Sequence, residues 1–176
     1  LRQAPSPILR SNCIIAVGDL AFRYPNLLEP WTEHIYAPLT DKAGGDAVVV
    51  RRSCVMVLSH LILNDMMKVK GYISDLTVCM EDADDVVAGQ ARLFVHELSK
   101  RTGNPIYNLL PDIISRLSSA ENLAPDAFQR IMKMLISYVD KEKFQEGLLG
   151  KLCARLGAAE RTDQRRNLAF CMAQLQ

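Results

Sequence analysis

A chain of 176 residues that is 49% hydrophobic is long enough to bury a core of its own. Its 21 basic and 20 acidic residues leave a net charge of +1, which excludes a global bias toward nucleic acid and makes any electrostatic site a local patch. Aromatic residues are only 6%, and the apolar remainder suits helix-on-helix packing better than a sheet.

Ile8 to Tyr24 places Ile14, Val17, Leu20 and Ala21 on one stripe, which predicts a helix stopped by Pro25. A second helix is expected over Leu27 to Leu39, with Pro30 tolerated in its first turn and Pro38 near its end. Asp41 to Asp46 reads as a polar, glycine-bearing loop. Val49 to Asn64 is the clearest helix; Val50, Cys54, Val57, Leu58, Leu61 and Ile62 give it the broad apolar face of a helix packed on two sides. Asp65 to Gly71 is a connector, and Tyr72 to Met80 a helix ended by the acidic run Glu81 to Asp85. Val86 to Lys100 follows, with Gly103 as its stop. Ile106 to Leu117 contains Pro111, which should kink it or delay its regular part. The remaining helices are expected over Asp126 to Val139, Phe144 to Leu156 and Asp163 to Gln174.

The elements repeat. Leu9–Ile15 (LRSNCII) returns 41 residues later as Val50–Met56 (VRRSCVM), Asp41 returns as Asp82, and Leu61, Leu98 and Leu135 are spaced by 37. Self-similarity at this period marks helix-pair repeats of the HEAT or armadillo type. The expectation is an all-α HEAT-repeat solenoid of about four antiparallel helix pairs, one segment over residues 1–176. The missing polar caps of terminal repeats suggest an excerpt of a longer chain.

Candidate chemistry is thin. Cys13, Cys54, Cys79, Cys153 and Cys171 form no CxxC pair, so they read as small core residues in a reducing compartment. His34, His60 and His96 lack ligand spacing and read as structural. The acidic run lacks the alternation and glycine of a calcium loop and reads as a solvated turn facing a basic partner. Gly44-Gly45 is no phosphate loop. Catalytic, cofactor-binding and metal residues are therefore none, no enzyme is expected, and no run approaches the length of a membrane span.

The basic residues say more. Arg10 and Arg51-Arg52 head equivalent helices, and Arg51 is expected to pair with the turn residue Asp41. Arg52, Lys68 and Lys70 divide between a solvated rim and contact with phosphate or an acidic partner. Trp31 and Tyr36 read either as an exposed anchor or as inter-helix packing.

Three segments carry a resemblance: Arg10–Trp31 (RSNCIIAVGDLAFRYPNLLEPW), Leu58–Gly71 (LSHLILNDMMKVKG) and Asn104–Leu117 (NPIYNLLPDIISRL). Together they make the chain resemble the condensin complex subunit 1 family, the HEAT-repeat non-SMC regulatory subunits of condensin, in their C-terminal HEAT part. The loop Lys42–Val48 is longer than the short Asp-Pro turn usual there. Ala88 and Gly89 stand where an Arg often begins the second helix; both departures bear on the capping ion pairs of those repeats.

The resemblance implies a non-enzymatic scaffold that docks on an SMC ATPase head and the kleisin subunit. It also implies support for engagement of double-stranded DNA in mitotic chromosome condensation, with ATP hydrolysis left to the SMC subunits. It places the chain in the nucleus and on chromosomes, with a cytoplasmic pool, and gives it no cofactor, membrane or small-molecule substrate. Met66, Met67, Lys68, Val69, Lys70 and Gly71 are the expected partner-facing edge; Arg52, Arg165 and Arg166 are expected at DNA phosphates or an acidic partner. The alternatives are a direct DNA-binding HEAT surface and a generic HEAT adaptor for peptides.

Overall fold

Proline and the repeat register set the helix boundaries. The computed structural model describes residues 4, 6–40, 47–68, 72–120 and 122–175, and all regular structure among them is helical. The all-α, HEAT-like fold expected from the repeat is the fold the chain adopts. It gathers into two compact units, residues 1–94 and 95–176.

In the first unit, α1 (Pro7–Arg23) starts on a proline, whose fixed φ suits a first turn and whose missing N–H would find no partner there. The next segment departs from the expected single helix. It is a relay of α2 (Pro25–Leu28), a 3-10 turn Glu29–Trp31, α3 (Thr32–Tyr36) and a second 3-10 turn Ala37–Thr40. Pro30 and Pro38 each remove a backbone donor, and the short-range bonds of a 3-10 turn absorb the loss.

Helix α4 (Ala47–Leu63) lies along α1, and the α3 relay packs back on it. The stack has a register. Ser11 and Ser53, one in each of the two matching heptapeptides, share a hydroxyl hydrogen bond of 2.7 Å. Gly18 lets the two backbones approach, since a Cβ there would lie 2.6 Å from Val57 Cγ1. The Cys54 thiol donates to the Ile35 carbonyl at 3.1 Å, tying α4 to α3.

The alternatives for the aromatic pair divide between its members. Tyr36 is 2% exposed and stacks on Tyr72 at 5.2 Å, whereas Trp31 is 57% exposed and rests beside His34. After α5 (Ile73–Val78) and a 3-10 turn through Glu81, α6 (Asp85–Ser99) begins.

The second unit holds α7 (Pro105–Ser118), α8 (Pro125–Ser137), α9 (Glu142–Ala158) and α10 (Thr162–Ala173). Helix α10 packs on all three others, and α7 packs on α8 and α9. Their core includes Ile113, Ile114, Phe128, Ile131, Leu148, Leu152 and Leu168, all fully buried. Helix α7 stays helical from Pro105 through Pro111, so its regular part is not delayed; the loss is the one bond that residue 111 would have donated to the Tyr107 carbonyl.

Leu61, Leu98 and Leu135 are all buried, as their equal spacing requires. The cysteines split. Cys54, Cys79 and Cys171 are buried and Cys13 is half-buried, but Cys153 is exposed, because it follows Leu152 on the opposite side of α9.

Candidate partner-docking edge

Helix α4 ends in a tight reversal. Asp65 adopts a left-handed φ of 59°, and the N–H groups of Met66 and Met67 both return to the Leu61 carbonyl, at 2.9 and 3.3 Å. Asn64 closes the same turn by donating to the His60 carbonyl at 2.7 Å. The reversal throws Met66, Met67 and Lys68 sideways off the helix axis and toward the relay that follows α1. There they line an open pocket of about 180 Å³ with Pro25, Leu28 and Thr32. Lys68 is exposed and the two methionines are half-buried. Flexible thioether side chains at a pocket mouth adapt to a partner surface. Val69, Lys70 and Gly71, the remainder of the expected edge, lie outside the described residues.

A second feature sits at the other end of α4, where two arginines fork onto two aspartates. Arg51 Nε and Nη2 donate to Asp82 at 2.8 and 3.0 Å, and Arg52 Nε and Nη2 donate to Asp84 at 2.9 and 2.5 Å. Bidentate pairs of this kind fix geometry as well as charge. Asp84 also accepts the Val87 N–H at 3.0 Å and so caps α6, and Asp82 accepts the Asp84 N–H at 2.9 Å. Arg92 completes the cluster by donating to the Met80 carbonyl at 2.7 Å.

The basic partner of the acidic run is therefore found within the chain. Asp41, expected to hold Arg51, lies outside the described residues; the fork to Asp82 falls on the equivalent acid one period on. With Ala88 and Gly89 at the head of α6, the turn acids are met by arginines from α4 instead.

The Arg52 hydrogen bonds hold the Asp84 carboxyl down to about 2, helped by the Val87 N–H. An ordinary Asp titrates at about 3.9. A carboxylate with a lowered folded value stabilises the fold above about pH 4 and loses that contribution as pH falls toward about 2. Thermal unfolding midpoints of the wild type and Arg52→Ala should therefore converge as pH falls from about 5 to about 2. A constant gap across that window would show that the pair contributes no pH-dependent stability.

Of the other expected phosphate contacts, Arg165 spends its Nε on the Ala159 carbonyl at 2.7 Å. Arg166 is exposed. Arg10, which heads the helix equivalent to that of Arg51 and Arg52, is 7% exposed and donates to the Ala4 carbonyl at 2.9 Å, because its face of α1 turns inward. Burial pushes the Cys79 and Cys171 thiols up to about 12, which keeps them protonated and poor nucleophiles. Among the described residues no group of three or more His, Cys, Asp or Glu could hold a metal ion. No helix there is long and apolar enough to cross a membrane. The forks were missed from sequence, as was a cleft in the second unit around Asn104 and Lys141; the only local signal for the cleft was the Gly103-Asn104-Pro105 turn.

Residues 8–173 match the Cnd1 family, described as non-SMC mitotic condensation complex subunit 1. The chain is 49% identical over 175 residues to the Condensin-1 complex subunit CAP-D2 of Arabidopsis thaliana. It is 48% identical over 176 residues to the Condensin complex subunit 1 of Homo sapiens and 35% identical over 175 residues to that of Saccharomyces cerevisiae. Each match covers 99% of this chain but only 12%, 12% and 14% of the respective relative.

Proposed function

The chain belongs to the family of non-SMC mitotic condensation complex subunit 1, and from that premise we propose that it is a non-catalytic scaffold segment of condensin. In this reading it docks on an SMC ATPase head and the kleisin subunit and supports DNA engagement in mitotic chromosome condensation. It works in the nucleus and on chromosomes, with a cytoplasmic pool.

One observation carries the docking site. The reversal at Asp65 projects Met66, Met67 and Lys68 from between two helices, beside an open pocket, with an ammonium at the tip. Apolar adaptable side chains next to one exposed cation suit a protein surface with an acidic rim. Val69, Lys70 and Gly71 extend the same edge in sequence.

Direct DNA binding is the second reading. Arg166, exposed on α10, favours it, while the commitments of Arg52 to Asp84 and of Arg165 to Ala159 weigh against it. Each phosphate contact would steepen the salt dependence of binding by about 0.9 in log–log slope.

A photo-crosslinking residue in place of Met67, within the assembled complex, tests the docking site. A crosslink to an SMC head is the expected product. Crosslinks to the kleisin alone, or to DNA alone, would move the head-docking site away from this edge.

A further inference from the structure

Three helices of the first unit expose apolar residues in one register. On α1 they are Ile8, Ile15 and Phe22, seven residues apart, and on α4 Val49 and Met56 stand 41 residues after the first two. On α6 the same two positions return 37 residues later as Val86 and Leu93. All of these side chains are between 38% and 65% exposed. A buried position stays apolar because the core demands it. Water makes no such demand, so an apolar residue kept at the same exposed phase of successive repeats marks a contact surface.

The rows on α1 and α4 flank an open groove of about 1220 Å³, lined by Ile15, Asp19, Phe22, Arg23, Met56 and His60 among others. Its floor is the close approach of Gly18 to Val57. Phe22 stacks on His60 with centroids 5.4 Å apart, which holds the ring at the wall and leaves 44% of the residue open. Asp19 and Arg23 are exposed, and among the described residues neither side chain has a hydrogen-bond or ion-pair partner. The groove shares no lining residue with the pocket at Met66 to Lys68.

The spacing of the rows selects a helix as occupant. Residues seven apart lie about 10.5 Å apart along a helix, which matches two turns of a second helix laid alongside, whereas same-face residues of a strand fall about every 6.8 Å. The face measures about 20 Å by 20 Å, roughly 400 Å², half of the about 800 Å² per partner that a stable dimer buries, so a second copy of the chain is a poor fit. One helix of about 15 residues covers it.

We infer that the groove between α1 and α4 binds an amphipathic helix of a partner subunit, which sets apolar residues at i, i+4 and i+7 between the two rows. A basic residue of that helix meets Asp19, and an acidic residue one turn away meets Arg23. This inference rests on the reading of the chain as a scaffold segment within a complex.

The test places a photo-crosslinking residue at Met56 in the purified, assembled complex and maps the product by mass spectrometry, with the Met67 crosslinker run in parallel. The expected product joins Met56 to a segment of another subunit whose apolar residues follow a helical period. That segment, made as a labelled peptide, should bind this chain and weaken about tenfold or more with Asp19→Lys, the loss of one charge-assisted contact. Reversing its basic residue to Glu should restore binding to the Asp19→Lys chain, whereas Glu33→Lys, an equal charge change off the groove, should leave binding as in wild type. No product from Met56, a product with DNA, a second copy or another stretch of the same polypeptide, or equal peptide affinity for wild type and Asp19→Lys would each overturn the inference. A Met67 product with an SMC head and none from Met56 would overturn this inference alone and leave the docking edge standing.

Discussion

Gly18→Leu should lower the unfolding free energy by about 3 kcal/mol, at the upper end of what overpacking a core costs. A Cβ at residue 18 would lie 2.6 Å from Val57 Cγ1, 3.2 Å from Cγ2 and 3.4 Å from Cβ, so the whole isopropyl group is in the way. Val57 cannot swing aside, because a β-branched side chain in a helix has essentially one χ1 well. The remaining relief is separation of α1 from α4, which strips the Ser11–Ser53 hydroxyl bond and the packing along both helices.

Gly18→Ala meets the same atom but gains about 1 kcal/mol of helix propensity, so its net loss should be about 1–2 kcal/mol. Truncating the obstacle with Val57→Ala should make Gly18→Ala cheaper, a coupling that a double-mutant cycle reads from urea midpoints. A Gly18→Leu chain within about 0.5 kcal/mol of wild type, the range of an unremarkable surface change, would mean that α1 and α4 do not meet this closely.

The register of the fold was legible because it is carried by residues at fixed spacing. Leu61, Leu98 and Leu135 are 37 apart and all buried, and the period of 41 is written in two matching heptapeptides, Leu9–Ile15 and Val50–Met56, which meet at the Ser11–Ser53 hydrogen bond. The broken relay between Pro25 and Thr40 was not legible as such. Prolines at 30 and 38 are each tolerable near a helix end, and only their combined loss of donors converts one helix into four short turns. The partner of Arg52 lies 32 residues away across a whole helix pair, so no local pattern could distinguish a free cation from one already clamped by Asp84. The same holds for Asn104, whose importance comes from reaching Tyr138 34 residues on. The connector was readable as an interruption between two helices; its sideways projection required the positive φ at Asp65, a conformation that Asp adopts more readily than most side chains.

Charge reversal on that connector should have the largest effect on association. Lys68 is exposed, so Lys68→Glu should leave stability within about 0.5 kcal/mol of wild type. At an interface the same change removes an attraction and adds a repulsion. Truncating one partner of a desolvated charge pair already costs about 2–5 kcal/mol, so reversal of both Lys68 and Lys70 should weaken binding about a hundredfold or more.

The most direct measurement is co-elution of this chain with a condensin SMC head bound to its kleisin segment, with and without ATP, for the wild type and the Lys68→Glu/Lys70→Glu double variant. Wild type that co-elutes, and a folded double variant that does not, is the expected result. A double variant that co-elutes as well as wild type, or a wild type that co-elutes in neither nucleotide state, would contradict docking through the edge at Met66 to Lys68.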